Sequence, residues 1–276
     1  MAGKILFYMF YGLISGLSEF LPVPAAAQGY LLEELSALDT RHPLMLLMIH
    51  LASLVVVLVQ YRHRIRHLCW EMYLAYSKNN RRPPDRLTVL DGQVALLSCV
   101  PTVMMLAFSD VAYRNWTNLF SLSIVLLLGG IVIYTPQFQP AANRDSRHLT
   151  PIEVLLLGLC AGAAVLPGIS RIGVFLSMGL LLGCDRRYIL DIAILSSIPA
   201  LLMMLVLDAV SLFAFGLTGI NAAMMVQCAL AAVMAFVGAW LSMVIIRYLN
   251  ATGTTGGLAY YSWALALLSF ILYLMV

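Results

Sequence analysis

Charge is what this chain has least of. Asp, Glu, Lys and Arg make up 11% of its 276 residues, against about 25% in an ordinary soluble domain. With 62% hydrophobic residues, a water-coated globular fold is excluded and an integral membrane protein is expected. The net charge of +3 is small and gathered in a few loops, so no nucleic-acid partner is expected. A basic loop beside a membrane reflects orientation or anionic lipid instead. Cysteine is sparse too. Cys69, Cys99, Cys160, Cys184 and Cys228 are odd in number, widely spaced and without a CxxC pair. No zinc site or disulfide framework is expected, and the five read as small apolar packers.

What the chain does have is long apolar runs. Six are long enough to cross a bilayer, at roughly 43–61, 89–108, 119–137, 189–210, 222–246 and 258–275. Between the first two, Arg62, Arg64, Arg66, Lys78, Arg81, Arg82 and Arg86 face only Glu71 and Asp85, and KNNRRPPDR reads as a solvated loop. The positive-inside rule makes that connection cytoplasmic. By alternation the 109–118 loop lies outside, and the 138–151 loop, with Arg144 and Arg147, lies inside.

Two further apolar regions, 5–38 and 152–183, are interrupted by proline. In the second, LLGLCAGAAVLPGISRIGVFLSMGLLLG, each flanking run has about fourteen residues and reaches ~21 Å. The hydrocarbon core is about 30 Å thick. The region is predicted to enter, break and return, which keeps Asp185, Arg186, Arg187 and Arg247 on the cytoplasmic side. Working backwards, 5–38 starts and ends outside, so the two broken regions enter from opposite faces. GLISGLSEFLPVPAAAQG (12–29) and GLCAGAAVLPGISRIG (158–173) share a GLxxG start and an LP break. Likeness with opposed topology is the signature of an inverted repeat. The chain therefore reads as one membrane domain, 1–276, with approximate halves 1–137 and 138–276. Lys4, an apolar run and PVPAAAQ also imitate a secretory signal with an Ala-rich cleavage site. The likeness between the two breaks argues for retention.

The polar residues at the breaks define a candidate site. Arg171 is always charged and can grip phosphate oxygens through a planar fork. Ser170 can hydrogen-bond the same group, and a helix starting there would present free N–H groups to an anion. Gly168 and Gly173 allow close backbone approach. Glu19 precedes Leu21–Pro22. Its carboxylate could move a proton, coordinate a divalent cation or pair with Arg171. Gln28, Ser15 and Ser18 lie near it in sequence and could line the same cavity. His50 sits mid-span, as a functional group or as a neutral imidazole bonded to a neighbouring helix. Asp91 and Asp208 fall near span ends and are expected to be solvated. The Met and Tyr residues are read as packing and interface anchors.

GLSEFLPV (16–23) and LPGISRIG (166–173), with weaker support from HLASLVVVL (50–58) and IPALL (198–202), resemble the undecaprenyl-diphosphate phosphatase family, also known as bacitracin-resistance proteins. The resemblance covers most of the chain. It implies an all-α integral membrane protein of six transmembrane helices plus two oppositely oriented re-entrant helix pairs. It also implies a multi-pass enzyme of the bacterial inner (plasma) membrane that removes the terminal phosphate of a polyprenyl diphosphate, recycling the carrier lipid of cell-wall synthesis. Against the family's PGxSRSG motif, Pro167, Gly168, Ser170, Arg171 and Gly173 match, while Ile172 replaces a serine. The family's other motif has two acidic or amide positions four apart, a proline and a serine-rich turn ending Gly-His. There Glu19 and Pro22 match, Ser15 stands at the first carboxylate, and Pro24, Ala25, Ala26, Ala27 and Gln28 replace the turn and its histidine. Ala161 occupies a position that is often polar. Ala25 lacks the hydroxyl proposed as nucleophile in the family, and Gln28 cannot carry a proton as histidine can.

Two functions are consistent with these residues. In a phosphatase, Arg171, Ser170 and the helix N-terminus hold the diphosphate. Glu19 then activates water directly or holds a Mg²⁺ or Ca²⁺ that does, with Ser170 as an alternative nucleophile. In a non-catalytic polyprenyl-phosphate transporter or flippase, the anion cradle is needed but the hydroxyl and the histidine are not. No specific feature supports a scaffold role. A homodimer is left open.

Overall fold

The computed structural model describes residues 2–36, 38–77, 82–139, 142–216 and 220–275. Among these the regular structure is helical, with no strand beyond an isolated bridge between Arg144 and Cys184. The order is α1 (Ala2–Phe20), α2 (Ala25–Ser36), α3 (Pro43–Gln60), α4 (Arg62–Tyr76), α5 (Arg86–Leu106), α6 (Ser109–Trp116) and α7 (Leu119–Tyr134). There follow α8 (Pro151–Gly162), α9 (Arg171–Leu181), α10 (Arg186–Ser211), α11 (Ala222–Thr252) and α12 (Leu258–Met275).

Six helices among the described residues are long and apolar enough to cross a membrane: α3, α5, α7 with its 3₁₀ extension, α10, α11 and α12. These are the six apolar runs of the sequence, with α11 continuing past Ile246 to Thr252. Most begin on a side-chain cap that satisfies an otherwise orphaned amide. Asp85 Oδ1 accepts from Leu87 N at 3.2 Å, Asn118 Oδ1 from Ser121 N at 2.7 Å, Asp185 Oδ1 from Arg187 N and Tyr188 N at 2.9 Å, and Asn221 Oδ1 from Met224 N at 2.9 Å. Their outer faces carry exposed Leu, Val, Ile and Phe, such as Leu128, Val206, Val233 and Leu267. Apolar surface this extensive is stable only against lipid. The protein is a multi-pass membrane protein.

Two of the polar connections contain helices. The basic stretch after α3 forms α4, which buries Glu71 and Leu74 against α5. The Glu71 carboxylate accepts from Asp85 N at 2.7 Å and lies 3.4 Å from Arg82 Nη2. High charge density hid a short helix that buries one face only. The Lys78–Arg81 part of the expected loop lies outside the described residues. The 109–118 stretch holds α6.

Small residues set the closest helix crossings. A Cβ on Gly12 would stand 2.8 Å from the Ala231 carbonyl carbon, and one on Gly16 2.8 Å from that of Ala235, so α1 runs backbone to backbone along α11. Gly158 of α8 meets Ser98 of α5 in the same way, and Thr102 Oγ1 donates to Gly158 O at 2.8 Å. The main core gathers Phe20, Leu157, Phe175, Ile189, Ile194, Leu201, Met243 and Ile246, which join the end of α1 to α8–α11.

Candidate active site

Two chain breaks meet inside this core. Pro22 disfavours helical backbone at Leu21 and so ends α1 at Phe20; α2 restarts after Pro24. In the other half, α8 tightens into a 3₁₀ turn at Ala163–Val165, and Leu166–Pro167–Gly168 breaks the chain. Gly168 has φ of 114°, a conformation L side chains rarely adopt. Its carbonyl lies where a Cβ on Gly129 of α7 would be, 2.6 Å away. Ser170 then caps α9, its Oγ accepting from Gly173 N at 3.3 Å and donating to Leu21 O at 3.2 Å. That second bond ties one break to the other. A Cβ on Gly173 would stand 3.0 Å from Pro22 Cβ, so the glycine lets the two turns approach a few tenths of an ångström closer than an alanine would.

Glu19, in the last turn of α1, and Arg171, in the first turn of α9, form an ion pair through Oε1 and Nη2. Their side chains are 11% and 16% exposed. The carboxylate offsets the cost of holding a guanidinium at this depth. Arg171 Nε is buried and has no hydrogen-bond partner among the described residues. The pair opens into a cavity of about 200 Å³ lined by Ser15, Ser18, Glu19, His50, Ser170 and Arg171, together with Tyr11, Tyr30, Thr40, Arg41 and Tyr113. The helical bonding of α9 starts only at Val174 N, which donates to Ser170 O at 2.9 Å. The amides before it belong to an N-terminus that favours anions.

Some sequence candidates stay out of the cavity lining. Gln28 is buried behind Ser18, whose Oγ lies 2.7 Å from Gln28 Oε1 and 2.7 Å from Ile14 O. Gly168 and Gly173 serve close packing rather than lining. Two expectations are corrected. Asp91 is 4% exposed and meets Arg64 Nη2 at 2.6 Å; Asp208 is 7% exposed, with Oδ2 2.6 Å from His50 Nδ1. Each lies inward of its helix end and faces a cation or an imidazole from a neighbouring helix, which a linear distance from the span end does not reveal. The His50 alternatives resolve to a ring that both lines the cavity and bonds a neighbouring helix. The Ser170 hydroxyl is committed as cap and donor, which leaves it no spare proton for nucleophilic attack. Cys69 is exposed on α4, unlike the packers Cys99, Cys184 and Cys228.

Sequence reading missed the mouth of the cavity. The Arg41 guanidinium stacks 3.3 Å from the Tyr113 ring centroid, with Asp110 Oδ1 3.8 Å from its Nη2. A cation directly before a 43–61 span was the available signal, and the unexpected α6 supplies its partner.

The family model described as "Bacitracin resistance protein BacA" matches residues 8–268. Among similar proteins, the undecaprenyl-diphosphatase of Carboxydothermus hydrogenoformans is 30% identical over 198 residues, covering 71% of this chain and 70% of its own length. That of Halothermothrix orenii is 24% identical over 268 residues, 96% of each chain. Undecaprenyl-diphosphatase 1 of Shouchella clausii is 25% identical over 266 residues, 94% of this chain and 93% of its own. Both chain breaks, Glu19 and Arg171 all lie inside the span matched by the family model, and on that match the chain belongs to the bacitracin resistance protein BacA family.

Proposed function

We propose that this protein is an undecaprenyl-diphosphate phosphatase of the bacterial plasma membrane, releasing inorganic phosphate and returning the carrier lipid as its monophosphate. The observation that carries the reading is the Glu19–Arg171 pair, supplied by two chain breaks to one cavity, with an unpartnered Arg171 Nε. A guanidinium donor left without a partner in a buried site suits a phosphate oxygen. The α9 N-terminus adds amides to the same anion. Arg41, at the mouth, gives a second cation for a ligand with two phosphates.

Water is the nucleophile. Glu19 holds Arg171 in register with one oxygen, and the other orients the attacking water. Arg171 and the α9 amides gather the charge that builds on the phosphoryl oxygens, where preorganised donors contribute most. Among the described residues Glu19 is the carboxylate lining the cavity, and no group of three or more His, Cys, Asp or Glu could hold a metal. Glu19 would be the protein's ligand for a Mg²⁺ or Ca²⁺, which binds through one or two carboxylates where a phosphate substrate completes the site. Such an ion would supply Lewis-acid polarisation of the phosphoryl group.

The finer topology follows the same reading. Pro151–Val165 and Arg171–Leu181 reach only ~22 Å and ~17 Å, short of a hydrocarbon core of about 30 Å. This supports α8–α9 as a re-entrant pair, matched from the opposite face by α1–α2 in an inverted repeat. With α6 outside, the cavity mouth at Arg41 and Tyr113 opens away from the cytoplasm.

The test is phosphate release from undecaprenyl diphosphate by purified protein in detergent. Wild type releases phosphate; Arg171→Ala and Glu19→Ala each lower kcat/KM by at least about 10²-fold, as loss of a preorganised charge does. Undiminished release by Arg171→Ala refutes the assignment.

A further inference from the structure

Hydrolysis of a phosphoanhydride by water needs a group to take the water's proton. The cavity contains few that can. Glu19 is tied to Arg171 through one oxygen and orients the attacking water with the other, and the Ser170 hydroxyl already donates to Leu21 O. The lining tyrosines are phenols, ordinarily protonated at neutral pH, and Arg41 has no acceptor at all. Gln28 does not titrate and lies behind Ser18.

His50 remains. It sits on α3, its ring lines the cavity, and its Nδ1 is 2.6 Å from Asp208 Oδ2 on α10. The two side chains are 14% and 9% exposed. Among the described residues Nε2 makes no hydrogen bond within the protein. An imidazole with one nitrogen fixed by a carboxylate and the other free toward a reaction chamber is arranged for proton transfer. The carboxylate orients the ring and offsets the charge of its protonated form. The charges of Glu19, from α1, and Arg171, from α9, also reach the ring. α11 packs along α3 as well, but its Arg247 stands over Tyr61, at the far end of α3.

We infer that His50 is a catalytic residue of this cavity, the acceptor and later donor of the water's proton, and that Asp208 is its positioning residue. The inference rests on the phosphatase reading above. In the step, the water oxygen bonds to the terminal phosphorus while the bond from that phosphorus to the bridging oxygen breaks. The bridging oxygen keeps the electron pair and leaves on the lipid monophosphate. The water's proton goes to His50 Nε2, and the imidazolium returns it to the departing oxygen, so the ring ends as it began.

The experiment measures kcat and KM for phosphate release from undecaprenyl diphosphate by the full-length protein in detergent, across pH, for wild type, His50→Gln, His50→Ala and Asp208→Asn. His50→Gln is expected to lower kcat by about 10²–10⁴-fold, the usual contribution of a general acid–base, with KM changed by no more than about threefold. The wild-type rise of kcat with pH disappears in His50→Gln. Added imidazole raises the His50→Ala rate by at least about tenfold and leaves wild type and Arg171→Ala unchanged, a response that a merely structural histidine does not give. Asp208→Asn lowers kcat in the same direction. The imidazole response is read within one preparation, so a poorly folded variant cannot imitate it. A His50→Gln kcat within about threefold of wild type, or no imidazole response in His50→Ala folded to the wild-type unfolding temperature, overturns the inference. Inactive wild type defeats the phosphatase reading itself, whereas active wild type with an indifferent His50 defeats this inference alone.

Discussion

Gly16→Ala adds a single methyl group one turn before Glu19, where α1 and α11 run backbone to backbone. The new Cβ would stand 2.8 Å from both the carbonyl carbon and the Cα of Ala235, and closer still to its oxygen. A carbon–oxygen contact settles at about 3.3–3.6 Å, so the helices must part by roughly 1 Å. The obstacle is backbone on both sides, and no rotamer change relieves it. Overpacking of this kind costs about 2–3 kcal/mol, and the better helix propensity of alanine returns about 0.5–1 kcal/mol. A net loss of about 1–2.5 kcal/mol lowers the unfolding temperature in detergent by about 2–10 °C. The functional effect should exceed the stability effect. A displacement of about 1 Å at Glu19 is enough to lower kcat by about 10²-fold. Unfolding is followed by temperature-ramped size exclusion, and turnover by phosphate release. Gly257→Ala is the control, because its Cβ meets nothing within 4 Å, and both readouts stay at wild type. Gly16→Ala protein with wild-type melting and wild-type turnover refutes the close crossing and its role in placing Glu19.

Two further outcomes follow from the site. Ala25→Ser combined with Gln28→His is expected to raise phosphate release above wild type, measured at saturating lipid, since Ala25 lines the Glu19 cavity and Gln28 contacts Ser18 of its wall; unchanged turnover speaks against a shared site. Chelation of divalent cations is expected to lower turnover, whereas Mg²⁺ without substrate leaves the unfolding temperature unchanged, because the protein offers one cavity carboxylate rather than a cage. A rise in melting temperature with Mg²⁺ alone contradicts that division of ligands.

The amino-acid sequence by itself determined the membrane class, the six spans and the two breaks. Those depend on length, apolar run and the intrinsic geometry of proline and glycine, all local properties. It also singled out Glu19, Ser170, Arg171 and His50, because a polar group in an apolar run is visible without any fold. Tertiary structure decided which of these groups meet. The bond from Ser170 to Leu21 spans 149 positions, the Arg171–Glu19 pair spans 152 and the His50–Asp208 pair spans 158. No periodicity encodes contacts so distant in the chain. Position in the span alone therefore predicts a solvated Asp208, which is instead the partner of His50, and nearness in sequence predicts a cavity-lining Gln28, which instead lies behind Ser18. Helices α4 and α6 were hidden for a related reason: each is too polar or too short to stand alone, and packing on neighbours makes it helical.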